Sequence, residues 1–143
     1  MYSLTLLKLM GINLSKYLLQ QEVPREVKMW RAVITLAFED VASNSVAKVD
    51  AYRKQEAHTW LLGKTDDFKQ VCYYAEIEPE FVIDRYQWLR DQGSVKFTRI
   101  QRLWLEYKAC YKVYRGQVTK DQRQRIMARI RWIKDKITEL KKQ

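Results

Sequence analysis

The residue types that carry most protein chemistry are scarce in this 143-residue chain. His58 is the only histidine, and Cys72 and Cys110 are the only cysteines. A structural zinc site takes four clustered Cys and His ligands, and a catalytic thiol needs an imidazole base beside it. Neither spacing exists here, so His58 reads as a half-buried helix residue, Cys72 as a small core residue and Cys110 as a neighbour of a helical seam. Glu76, Glu78 and Glu80 alternate across a turn and a helix start, where acids complement the helix dipole. No glycine-rich phosphate loop, nucleophile elbow or paired-carboxylate frame occurs. The expectation is a protein that is not an enzyme, with no metal and no cofactor.

The chemistry that is abundant is cationic. The chain carries 27 Lys and Arg against 17 Asp and Glu, a net charge of +10. Residues 94–143 hold 15 bases and 4 acids, or +11, whereas residues 1–93 hold 12 bases and 13 acids, or −1. At 100° per residue, Arg125, Arg129, Trp132 and Lys136 share one flank of an isoleucine stripe. Arg123 and Lys134 lie on the other flank, and Arg131 lies further round. Lys112, Arg115 and Lys120 extend the charge around a turn. A row of cations with an aromatic among them suits a phosphate backbone, with Trp132 stacking on an unpaired base or on an arginine. These ten residues are the candidate nucleic-acid contacts. The competing reading is a solvated flank, because long-stemmed cations often cover apolar seams.

The elements that must position these residues are helices. Four Gly and two Pro are too few for an all-β chain, which needs frequent turn residues. Pro24 and Glu26 begin a helix to about Ala42, with Trp30, Val33, Ile34, Leu36, Ala37 and Val41 as its buried stripe. A helix at about 46–62, carrying Val49, Tyr52, Ala57, Trp60 and Leu61, stops at Gly63. Thr65 caps a short helix to near Ala75. Glu78-Pro79 opens another, running through Phe81, Val82, Tyr86 and Leu89 to Gly93. Ser94 is the expected cap of the next helix.

Phe97, Ile100, Trp104, Tyr107, Tyr111 and Tyr114 then recur at steps of 3, 4, 3, 4, 3. After Arg115-Gly116, and a Thr119/Gln122 capping box, Ile126, Ile130, Ile133, Ile137 and Leu140 recur at 4, 3, 4, 3. Two heptad-spaced faces joined by a short turn describe an antiparallel hairpin. The expected fold is all-α: a compact multi-helix domain over 1–93 and a basic helical hairpin over 94–143. Residues 4–19 are apolar, but Lys8 and Lys16 make them too charged to span a bilayer. They read as a helical or partly extended lid over the core, with a peripheral membrane anchor as the alternative, and the cytoplasm is the expected compartment, which suits free thiols.

Residues 67–89, DFKQVCYYAEIEPEFVIDRYQWL, have the pattern of a helix-turn-helix corner. Phe68 and Val71 anchor the first helix, Ala75 permits close approach, and Ile77 and Val82 fill the turn and second helix. The run from Val71 to Glu78 is similar to the motif of lac-repressor-type regulators, departing at Glu76, where that family's turn has Gly. The wider set Ala57, Trp60, Leu61, Asp67, Phe68, Val71, Cys72, Ala75, Ile77, Pro79 and Val82 resembles small phage and bacterial helical proteins, mostly uncharacterised, some of them described as DNA-binding. The resemblance covers about a quarter of the chain and implies a phage-like helical regulator; transcription regulation is the expected role.

The corner at 67–90 would present Glu80, Ile83, Asp84 and Gln87 outward. Residues 66–91 carry seven acids and three bases, so a groove-reading helix would meet phosphate repulsion. A helical corner of tri-helical type and a protein-docking corner therefore stand beside direct groove reading. The expected function is non-enzymatic nucleic-acid binding, to DNA, with affinity from the hairpin and self-association as a homodimer or higher oligomer. Its alternatives are a module docking an acidic protein partner in a transcription or viral assembly complex, and an oligomeric phage packaging subunit.

Overall fold

A computed structural model of the chain describes residues 4–116 and 118–143, with the backbone alone described at Leu4 and Thr5. Met1–Ser3 of the expected N-terminal segment and Gln117 of the expected inter-helix turn lie outside the described residues. Among the described residues every regular element is a helix: α1 Leu4–Leu18, α2 Arg25–Ala42, α3 Lys48–Leu61, α4 Asp66–Tyr74, α5 Pro79–Asp91, α6 Arg99–Tyr114 and α7 Lys120–Lys141. The all-α class expected from the sequence is therefore the fold.

The chain divides into two compact units, one of residues up to Ser43 with Arg53–Lys96, the other of Asn44–Tyr52 with Phe97–Gln143. The sequence placed a single cut at 93–94. The structure cuts at 96–97 and also gives residues 44–52, including the start of α3, to the hairpin unit. The reason is local bonding. Trp104 Nε1 donates to the Val46 carbonyl at 3.0 Å and Gln101 Nε2 to the Ser45 carbonyl at 3.3 Å.

In the first unit, Leu6, Met10, Leu14 and Leu18 of α1 are buried against a core built around Ile34, Phe38, Leu61, Phe68 and Tyr86. The expected lid is thus a helix, broken where Gly11 takes φ 79°. Along α2 the buried stripe is Val27, Arg31, Ile34, Thr35, Ala37, Phe38 and Val41. Val33 and Leu36, expected inside, are exposed, as is Val49. Choosing Trp30 and Val33 over Val27 and Phe38 rotated the stripe away from its true centre. α3 is followed by Gly63 at φ 77°, where a Cβ would lie 2.5 Å from Ile83 Cδ1. The chain can leave α3 so close to α5 only without a side chain at that point.

Two buried cations tie this unit together. Arg31 is 4% exposed and donates from Nε to the Ala75 carbonyl at 2.8 Å and from Nη1 to the Tyr17 carbonyl at 2.7 Å. It also reaches Gln20 Oε1 and the Glu76 carbonyl. One guanidinium thus bonds carbonyls near the ends of both α1 and α4, where intrahelical donors run out. Lys54 donates from Nζ to the Ser43 and Lys96 carbonyls at 2.7 and 2.6 Å, and burial lowers its pKa.

In the second unit, α6 and α7 pack in opposite directions, with Leu103, Ile133 and Ile137 buried between them and Ile100, Trp104, Tyr107, Cys110 and Leu140 packed alongside. The cap before α6 is Thr98, not Ser94. Its hydroxyl accepts from the Gln101 amide while Gln101 Oε1 accepts from the Thr98 amide. Thr119 and Gln122 form the same reciprocal pair before α7.

Candidate nucleic-acid interface

Thr65 Oγ1 accepts from the Phe68 amide at 3.1 Å and starts α4, and Phe68, Val71, Cys72, Ala75, Ile77 and Val82 are all buried. Between α4 and α5, Glu76 sits at φ 53°, the left-handed conformation that favours glycine.

On α5, Glu80, Asp84 and Gln87 are exposed. Ile83 is not part of that face: it packs on the core beside Gly63. Phe81, expected inside, is 48% exposed, and Trp88 is exposed too. Both bases of α5 are occupied. Arg85 donates from Nε to the Leu9 carbonyl at 3.0 Å and from Nη2 to the Lys8 carbonyl at 2.9 Å, with its guanidinium 4.1 Å from the Trp88 ring. Both carbonyls lie just before the break at Gly11. Arg90 donates to Gln87 Oε1 and lies over the Tyr86 ring. What α5 shows to solvent is acidic, with no cation left to position it on phosphates.

The only histidine is engaged as well. His58 Nδ1 lies 2.6 Å from the Tyr86 hydroxyl, and burial, helped by Arg90, lowers its pKa. Burial pushes the Cys72 thiol up to about 11, with Glu80 adding to the shift. Cys110 is also raised, by burial and then Glu106, against the opposing pull of Arg129. Neither thiol is held as the thiolate that nucleophilic or metal chemistry uses. Among the described residues no group of three or more His, Cys, Asp and Glu is placed to hold a metal ion, and no helix is long and apolar enough to cross a membrane.

The hairpin cations fall into two groups. Arg129 grips Glu106 with two bonds, Nε–Oε1 at 2.8 Å and Nη2–Oε2 at 3.0 Å, and its guanidinium lies 4.3 Å from the Trp132 ring. Trp132 is half-exposed, and the arginine expected to bind phosphate already occupies its face. Lys136 contacts Glu139 Oε1 at 3.5 Å, whereas Arg123 makes only a loose approach to the Tyr114 ring, at 5.8 Å. By contrast, Lys112, Arg115, Lys120, Arg125, Arg131 and Lys134 are exposed and make no ion pair or side-chain hydrogen bond among the described residues. Arg125 alone of the four-residue flank keeps its charge uncommitted.

The aromatic stripe of α6 was expected as seam, but its burial is shallower. Trp104, Tyr107, Tyr111 and Tyr114 are all half-exposed, while Leu103, absent from that stripe, is the buried seam residue. Tryptophan and tyrosine at heptad spacing resemble core in a sequence, although their polar tips favour the boundary with water. Lys48 and Tyr52 also belong to this unit. Lys48 Nζ lies 5.8 Å from the Tyr107 ring, and Lys108 Nζ lies 4.9 Å from that of Tyr52. Sequence spacing had no means of finding these two, because their partners are more than fifty residues away. No family model, no curated protein and no solved structure matches the chain.

Proposed function

We propose that this chain is a non-enzymatic nucleic-acid-binding protein whose C-terminal hairpin supplies the affinity, with DNA as its ligand. The observation that carries the reading is the uncommitted charge along α7, the turn before it and the end of α6: six of the candidate cations, exposed and without acidic partners, in a region of fifteen bases and four acids. A merely solvated hairpin would mix signs and pair them. Neutralising phosphates releases condensed counterions and drives such association.

The corner at 67–90 has a different part. Its exposed face is acidic and both α5 arginines are spent on intramolecular partners, so it serves as a packing or protein-docking element and not as a groove reader. A regulatory role of phage type rests on the resemblance of residues 57–82, and a cytoplasmic location on the free thiols of Cys72 and Cys110. Self-association as a homodimer or higher oligomer belongs to the same reading, and mass measurement in solution tests it.

The test is fluorescence anisotropy with labelled DNA at about 50 mM salt, comparing the wild type with the triple variant Arg125→Glu, Arg131→Glu and Lys134→Glu. Binding by the wild type and loss of at least tenfold in the variant support the proposal. Absence of wild-type binding sinks it. If DNA binding survives the reversals but a co-purifying acidic protein is lost, the hairpin is a protein-docking module instead.

A further inference from the structure

Half-exposed aromatic rings run in unbroken contact along α6. Trp104 meets Tyr107 with centroids 5.3 Å apart, Tyr107 meets Tyr111 at 4.9 Å, and Tyr111 meets Tyr114 at 6.4 Å. Adjacent rings are steeply inclined, at 86°, 68° and 77°, so each presents an edge to its neighbour's face. From residue 104 to 114 the helix rises about 15 Å at 1.5 Å per residue. That length matches about four nucleotides of a stacked strand at roughly 3.4 Å each.

Three cations accompany the rings, Lys48 on α3 and Arg123 and Lys141 on α7. Lys48 Nζ lies 6.0 Å from the Trp104 ring, Lys141 Nζ lies 5.6 Å from the same ring, and Arg123 lies 5.8 Å from Tyr114. These distances are at the outer limit of about 6 Å for a cation–π contact. The cations therefore stay near the rings without being locked to them, and can turn to a phosphate. Trp132 differs, because Arg129 is held at 4.3 Å and is itself fixed by Glu106.

From this arrangement we infer that the α6 ladder is a stacking surface for a single-stranded nucleic acid, with unpaired bases against Trp104, Tyr107, Tyr111 and Tyr114 and phosphates against Lys48, Arg123 and Lys141. The inference rests on the nucleic-acid reading above and narrows it to unpaired strands. A duplex hides its base faces in its own stack and offers these rings nothing. Stacking tolerates any base and either sugar, so a preference for strand over duplex is the signature, not a sequence preference.

The test measures anisotropy of labelled dT20, rU20 and a 20-base-pair duplex at about 50 mM salt. The wild type should bind both strands more tightly than the duplex. Tyr111→Leu with Tyr114→Leu should weaken strand binding about tenfold or more and duplex binding less than about twofold. Tyr111→Phe, which keeps the ring, should bind like the wild type. Circular dichroism checks that the leucine variant folds. Photocrosslinking of a 5-bromouracil strand to the wild type gives a readout without substitution, with adducts expected on the four rings. Equal strand and duplex affinity, unaffected by the leucine changes and with adducts elsewhere, overturns this inference and leaves the nucleic-acid reading standing. Failure to bind any of the three probes overturns both.

Discussion

The Arg129–Glu106 pair separates structural from functional charge on the hairpin, and Glu106→Gln tests that separation. The pair is bidentate, at 2.8 and 3.0 Å, between side chains 47% and 39% exposed. At that exposure its loss should cost only about 0.5–1 kcal/mol of stability. The released guanidinium becomes available to a phosphate. One further phosphate contact steepens the slope of log affinity against log salt by about 0.9, close to a tenfold gain near 0.1 M salt. Asp135→Asn is the control, since it removes one negative charge from a residue with no ion pair among those described. The assay is anisotropy of labelled DNA across a salt series, with urea unfolding alongside. An unchanged slope in Glu106→Gln, or a gain no larger than that of Asp135→Asn, would refute the view that Glu106 withholds a phosphate contact.

Three other outcomes are expected of the first unit. Arg31→Met should destabilise the fold by about 3–5 kcal/mol, because two short, charge-assisted bonds to carbonyls near helix ends disappear while the carbonyls stay buried; Arg31→Lys should recover part of this in urea unfolding. Glu76→Gly should raise stability by about 0.5–1 kcal/mol by removing the cost of a Cβ at φ 53°, and a lowered unfolding midpoint would contradict it. His58 titrates below its ordinary 6.5 in the folded chain, so on acidification the unfolded chain takes up this proton first. Stability should fall as pH drops from 6.5 to the folded value and then level off, and His58→Gln should remove that segment from the pH dependence of thermal melting.

Local signals in the sequence reached most of the fold. Pro79, Thr65, Gly63 and the Thr119/Gln122 pair each act within one helical turn, so helix limits were readable from them. Sidedness was harder. Val33 and Leu36 continue an apolar pattern on α2 yet face outward, because the buried stripe also includes the polar Arg31 and Thr35. No hydrophobicity pattern predicts an arginine with only 4% exposure; its partners, at Tyr17, Ala75 and Glu76, converge only through tertiary packing. The same limit applied to the candidate interface. The excess of cations on α7 was countable, but which of them are spent on Glu106, Glu139 or Trp132 depends on contacts across the hairpin or along its helices. Tyrosine at heptad positions carries no mark of half-exposure, so the ladder on α6 was read as seam.

The most direct test of the hairpin's role is the salt dependence of DNA affinity, measured by anisotropy between about 50 and 200 mM salt. If the six uncommitted cations each neutralise one phosphate, the log–log slope is about −5 for a duplex and about −4 for a single strand, and affinity falls by a factor of hundreds to a thousand or more across that range. A slope near zero, or no binding at the lowest salt, would contradict a hairpin whose charge exists to hold nucleic acid.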